Sequence, residues 1–209
     1  MKDVFDFIVS KKHTAWWVVQ KYIEKPLLYN GRKFDIWVWA LRFQGKVYFY
    51  KEGYLRTSAS EFTLDINNKA NVHLTNNCFQ KHLDSYGNHE PGNTLSFSAF
   101  KTFLKKEHPD LNFDDHILPW MQDLVIDSLT CADIDHSKRE SSFELFGFDF
   151  LIDEDYRTWL IEVNTNPYFG KPNDFIKDLL PWMIDEMLEL TLDKFYKPEA
   201  PPSLKVWNF

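Results

Sequence analysis

Cysteine is nearly absent from this sequence: Cys78 and Cys131 are the only two in 209 residues. They are 53 residues apart and form no Cys-x-x-Cys pair, so two buried thiols in a reducing, intracellular compartment are expected. No apolar run approaches the roughly 20 residues of a membrane span. No basic segment followed by an apolar one opens the chain, so no secretory leader is read there. Positive charge is in deficit too. A net charge of −7 and a pI near 5.5 argue against nucleic acid as the main partner, because phosphate binding needs a concentrated basic surface. Low-complexity tracts and internal repeats are missing as well.

Oil is plentiful. At 44% hydrophobic and 17% aromatic, the chain can bury a core as one domain or two small ones. "AWWVVQKYI" (Ala15 to Ile23) reads as a buried strand. "KFDIWVWALRF" and "KVYFYKEGYLR", joined at Gln44-Gly45, read as a hairpin of aromatic and β-branched strands. The polar stretch from Ser58 to Asn93 reads as a long functional loop with a short segment at "NVHLTNNCFQ". Three helices are predicted from apolar spacing: "SAFKTFLKKE", "DDHILPWMQDLVIDSLTCA" and "PNDFIKDLLPWMIDEMLELTLDKFY", with Pro119 and Pro181 at early-turn or kink positions. The prolines after Lys197 predict a surface tail over 197–209.

"FGFDFLIDEDYRTWLIEVNTNP" places two carboxylates and an amide amid apolar strands. With Gly147 to Ile152 and Thr158 to Asn164 as strands, alternation puts Phe148, Phe150 and Ile152 on one face and Asp149 with Leu151 on the other. On the second strand Leu160, Glu162 and Asn164 share a face, opposite Trp159, Ile161 and Val163. Folding about Asp155-Tyr156 brings Asp149 opposite Glu162, with Asn164 two residues along. Like charges that close are accommodated by a hard cation, and Mg²⁺ takes oxygen ligands in this way. The alternative is a solvated strand face; the apolar flanks "ELFGFDFLI" and "TWLIEVN" weigh against it.

Five motifs in order, "VVQKYIEKPLL", "GRKFDIWVW", "YKEGYLRTS", "HLTNNCFQK" and "FELFGFDFLIDEDYRTWLIEVNTNP", resemble the C-terminal portion of the tubulin-tyrosine ligase family, from about Phe5 to Phe195. The resemblance implies an α+β, ATP-grasp C-terminal domain over residues 1–196: a mainly antiparallel sheet flanked by helices, without the N-terminal domain and part of the central one. It implies ATP- and Mg²⁺-dependent ligation of a free amino acid to the C-terminal tail of tubulin through an acyl phosphate, in the cytoplasm at the cytoskeleton or cilium. "LRTS" and "HLTNNCFQ" look closer to the tyrosine-adding member, so tyrosine is the expected amino acid, with glutamate and glycine open.

Residue by residue, the resemblance assigns Gln20, Lys21, Tyr22 and Ile23 to an adenine hinge and Lys33, Asp35, Thr75 and Asn76 to nucleotide contacts. Arg56 matches an arginine near the transferred phosphate, a task its planar fork suits. Asp149, Glu162 and Asn164 match the magnesium ligands, in agreement with the hairpin. His73 is expected to be structural. The bland alternatives are an ordinary strand end for Gln20 to Ile23, an exposed ion pair for Lys33 and Asp35, and a turn for Thr75 and Asn76.

Two features depart from the family pattern. Trp37 stands where an arginine is usual on the Asp35 face, and Arg42, five residues on, belongs to the opposite face. Only nineteen residues precede the hinge; Lys11 and Lys12 are present, but "SKKHTAWW" has neither the glycines nor the length of a phosphate-covering loop. The 209 residues alone are therefore expected not to ligate amino acids to tubulin. A non-catalytic tubulin- or nucleotide-binding relative is the alternative, and an ATP-grasp ligase for another amine is a third. Basic surface for acidic tubulin tails is expected at Lys21, Lys25, Arg32 and Arg56. Partners in nucleic acid or membrane are not expected.

Overall fold

The two aromatic runs build the longest hairpin. In a computed structural model that describes residues 6, 18–65, 71–132, 142–196 and 207–208, β1 (Leu28–Tyr29) leads into β2 (Arg32–Phe43) and β3 (Lys46–Thr57). Gln44 and Gly45 both have positive φ, 50° and 73°, the geometry that lets a two-residue turn follow the strand twist. The sheet continues with β4 (Thr94–Ser96), β5 (Phe143–Ile152) and β6 (Thr158–Asn164). Its order is β4-β3-β2-β5-β6, antiparallel throughout.

Helices cover both faces. The loop after β3 carries the short α1 (Asn77–Gln80). α2 (Phe97–Glu107) starts at Ser96, whose hydroxyl accepts from the Ala99 amide at 3.2 Å, a side-chain N-cap. α3 (Leu118–Cys131) has Pro119 in its first turn, where a missing N–H costs nothing. α4 (Asp174–Leu188) is capped by Asn173 and holds Pro181 inside it; α5 (Lys194–Tyr196) follows. One face of the strands packs Phe34, Ile36, Val38, Phe148 and Phe150 against Phe100, Met121 and Val125 of α2 and α3. The other packs Trp39, Leu41 and Phe43 against Ile176, Leu180 and Met183 of α4.

Three expectations change. Residues 18–23 form no strand, and Val18 is 88% exposed; Ala15 to Trp17 lie outside the described residues. β2 already has β3 and β5 as neighbours, so the run passes over the sheet's end. It is fastened there by Leu27 N–H to the Ile152 carbonyl (2.8 Å) and Glu154 N–H to the Lys25 carbonyl (2.9 Å). Both cysteines are exposed rather than buried: Cys78 lies on α1, and Cys131 ends α3 beyond its last core residue, Leu129. The tail is not only a surface extension, because β7 (Trp207–Asn208) pairs with Phe49 and Tyr50 of β3.

Candidate active site

The face that is apolar under α4 turns polar toward the other end of the same strands. Register places Asp35 across from Arg56, and Trp37 between Tyr54 and Asp149. Arg56 donates Nε to Asp35 Oδ1 at 2.7 Å and Nη2 to Asp35 Oδ2 at 2.9 Å, and Nη2 also reaches Asp149 Oδ1. The Thr75 hydroxyl donates to Asp35 Oδ2, and Asn164 Nδ2 donates to Asp149 Oδ2 at 3.3 Å. One guanidinium thus bridges two carboxylates in a buried setting, where attraction is stronger than at the surface but is offset by the cost of removing the three charges from water.

The hairpin of β5 and β6 holds the second carboxylate. Asp149 pairs with Glu162, but the register shifts between Asp149 and Phe150, so that Phe150 faces Leu160 and Ile161 is the extra residue. This bulge changes the parity expected for β6. Leu160 turns to the core with Phe150, while Glu162 and Asn164 turn to Asp149. Among the described residues the exposed Glu162 carboxylate makes no hydrogen bond.

Charge follows from burial. Asp149 is only 4% exposed, and its pKa is pushed up to about 7. Burial is the largest cause; Arg56 opposes it, Asp35 and Glu162 add to it, and the Asn164 bond opposes it again. Burial disfavours the Arg56 cation, yet Asp35 and Asp149 hold its pKa above the ordinary range. Lys33 is pulled down by burial, with Asp35 opposing. Lys33 and Asp35 are both buried and do not form the exposed ion pair of the bland alternative. Lys33 Nζ donates to the Tyr22 hydroxyl at 3.1 Å and the His73 carbonyl at 3.0 Å. His73 braces this corner, its Nδ1 2.9 Å from the same hydroxyl.

Two cavities flank the Arg56–Asp149 wall. The first, of 280 Å³, is lined by Gln20, Lys21, Tyr22, Ile23, Lys33, Asp35, Thr75 and Asn76 together with Arg56, Asp149 and Glu162. The second, of 390 Å³, shares Arg56, Asn76, Asp149 and Glu162 and adds Asn164, Trp37, Tyr54 and Lys81. The structure therefore gathers every predicted site residue around one wall. Sequence reasoning missed Tyr54 and Leu151, although each stands two residues from a predicted site residue on the same strand face. Ile161 lines the first cavity through the bulge, which has no sequence signal.

Trp37 is buried beneath this wall. Its ring lies 5.0 Å from the Arg56 guanidinium carbon and stacks with Tyr54. Gly147 makes room for it: a Cβ there would meet the indole at 2.4 Å. Arg42 faces the other way, donating to the Leu129 carbonyl at 3.0 Å near the end of α3. The expected basic patch does not form. Arg32 is 2% exposed and held by Glu90, and Arg56 is held by its two aspartates, so of the four only Lys21 and Lys25 are exposed. Lys11 and Lys12 lie outside the described residues. Among the described residues no three of His, Cys, Asp and Glu cluster as a metal site; Asp149 and Glu162 converge with an amide, Asn164, instead.

Comparison with known proteins agrees with the motifs. The model of the tubulin-tyrosine ligase family matches residues 2–200. Tubulin glycylase 3B of Tetrahymena thermophila is 33% identical over 197 residues, 92% of this chain and 16% of that protein. Tubulin monoglycylase TTLL3 of Homo sapiens is 37% identical over 193 residues, 85% of this chain and 25% of that protein. Protein monoglycylase TTLL8 of Homo sapiens is 34% identical over 185 residues, 85% of this chain and 22% of that protein. The chain spans a quarter or less of the length of these curated relatives. From the matched residues and the motifs at the wall, the chain belongs to the tubulin-tyrosine ligase family.

Proposed function

We propose that the chain is part of an ATP- and Mg²⁺-dependent ligase of the ATP-grasp fold that joins glycine to tubulin at the cytoskeleton or cilium. The observation that carries this reading is Arg56 clamped between Asp35 and Asp149 in the wall shared by two cavities. The first cavity takes the nucleotide: the irregular segment from Gln20 to Ile23 borders the adenine end, and Lys33 and Arg56 face the phosphates. The second takes the reacting carboxylate and amine. A tubulin carboxylate attacks the γ-phosphorus and ADP leaves; the glycine amine then attacks the acyl carbon and phosphate leaves.

Asp149, Glu162 and Asn164 are the residues that hold Mg²⁺, which when bound offsets phosphate charge. Their oxygen-donor chemistry fits a hard cation. So does a buried Asp149 whose negative form is disfavoured and opposed by two further carboxylates. Glycine replaces the expected tyrosine because the similar proteins are named as glycylases. "LRTS" and "HLTNNCFQ" do not single out the amino acid, because Thr75 lines the first cavity and Arg56 and Asn76 stand in the wall common to both.

The second reading, a non-catalytic nucleotide- or tubulin-binding relative, rests on Trp37. An indole wedged against Gly147 supplies no charge to a phosphoryl group. The intact protein carrying this chain, given tubulin, MgATP and labelled glycine, tyrosine or glutamate, separates the readings. Label from glycine alone supports the proposal, label from tyrosine alone overturns the amino acid, and no label until Trp37→Arg is made supports a damaged enzyme. Failure of all these arms, with nucleotide binding retained, leaves the binding role.

A further inference from the structure

The polar stretch between β3 and β4 is pinned from inside by one side chain. Gln80, the last residue of α1, is 0% exposed. Its Oε1 accepts from the Ala59 N–H at 2.9 Å and from Asn93 Nδ2 at 3.3 Å. Its Nε2 donates to the Asn71 carbonyl at 3.0 Å and to the Leu74 carbonyl. A carboxamide offers two acceptor sites and two donors, and all four are used. The partners lie at the beginning, middle and end of the stretch, so a single group closes a long loop on itself.

The same hub reaches the site. Leu74 adjoins Thr75, whose hydroxyl holds Asp35, and Asn76, which lines both cavities. On the other side, the Asn93 N–H donates to the Glu90 carbonyl at 2.9 Å, and the Glu90 carboxylate grips buried Arg32. Polar contacts thus run from Arg32 through Glu90, Asn93, Gln80 and Leu74 to Thr75, Asp35 and Arg56.

We infer that Gln80 is a positioning residue for the nucleotide cavity: it sets the Leu74–Asn76 segment so that Thr75 engages Asp35. The effect on nucleotide affinity rests on the proposed nucleotide reading; the effect on the loop does not. Leucine at 80 leaves two backbone carbonyls and two donors without partners in a buried place. Glutamate keeps the shape and both acceptor bonds, and burial keeps it protonated, so that it donates one bond at low pH and none once ionised.

The test is made on the intact protein carrying this chain, with a fluorescent ATP analogue and Mg²⁺, alongside amide hydrogen exchange. Gln80→Leu is expected to weaken the analogue at least about tenfold at every pH, the equivalent of one lost buried bond. Gln80→Glu is expected to bind within about threefold of the native chain at low pH and to weaken toward Gln80→Leu as pH rises, with the amides of β2 and β5 still protected at the higher pH, which separates local positioning from loss of the fold. Both variants are expected to speed exchange at Ala59 and across 71–77 while the amides of β2 and β5 stay protected. Native-like binding and exchange in folded Gln80→Leu overturns the inference, as does identical behaviour of the two variants at all pH values. If the native chain binds no analogue, the nucleotide reading fails, and exchange alone decides the positioning claim: fast exchange confined to the loop supports it, and unchanged exchange overturns it.

Discussion

On one face of β2 and β5, Phe34, Ile36, Val38, Phe148 and Phe150 run without a polar interruption. On the opposite face the same strands pass from Trp39 and Leu41 under α4 to Asp35 and Asp149 around Arg56. The first face is what alternation and burial dictate. The second obeys alternation and defies burial, since three charged groups occupy positions that apolar side chains would stabilise more. Arg32 sharpens the contrast: it is buried more deeply than Arg56, but it has a single carboxylate partner and lines neither cavity. An arginine with one partner fastens a loop, whereas an arginine shared by two carboxylates at a cavity wall leaves negative charge for a ligand to offset.

The contrast breaks most severely at its centre. Arg56→Leu strands Asp35 and Asp149 side by side and is expected to cost about 3–5 kcal/mol in chemical denaturation. Phe148→Ala on the oily face is expected to cost a similar amount through its cavity. The two differ in pH response: acid, which protonates the stranded carboxylates, restores stability to Arg56→Leu and not to Phe148→Ala. Gly147→Ala drives a methyl into the Trp37 indole and is expected to cost about 1–3 kcal/mol. Pairing it with Trp37→Val is expected to recover part of that loss, which a double-mutant cycle measures.

Asp149→Asn tests the strain itself. Because burial raises the native pKa of Asp149 to about 7 from an ordinary 3.8, the carboxyl's contribution is present at low pH and lost as pH rises through 7. In the metal-free chain the asparagine variant is therefore expected to equal the native protein near pH 4 and to exceed it by about 4 kcal/mol above pH 7, as read from thermal melts. The smallest effect is expected from Lys25→Ala. Its partner Glu154 is half exposed and the lysine more so, so solvent screens the pair and the variant's thermal melt is expected to overlay that of the native protein.

Much of this was legible in the residues. Period-two alternation located Asp149 on the site face, and symmetric folding of the turn paired it with Glu162, as the ladder has it. The Gln44-Gly45 turn and the helix spacings were legible for the same reason: they are local. What escaped depends on partners distant in sequence. The bulge at Ile161 moves Leu160 to the core, an outcome decided by the packing of Phe150 rather than by β6 itself. Arg32 read as surface charge because its partner, Glu90, is far along the chain. Val18 and Val19 read as a strand because apolarity alone does not reveal that both side chains stay exposed, with no strand partner among the described residues.

The central claim is that the charged end of this face is a cation-requiring nucleotide site. Calorimetric titration of ATP into the intact protein carrying this chain, with and without Mg²⁺, tests it directly when repeated on Glu162→Gln and Asp149→Asn. The account predicts binding that requires Mg²⁺ and is lost in both variants, although Asp149→Asn melts no lower than the native chain at neutral pH. Binding that is indifferent to Mg²⁺ and unchanged in both variants would contradict it.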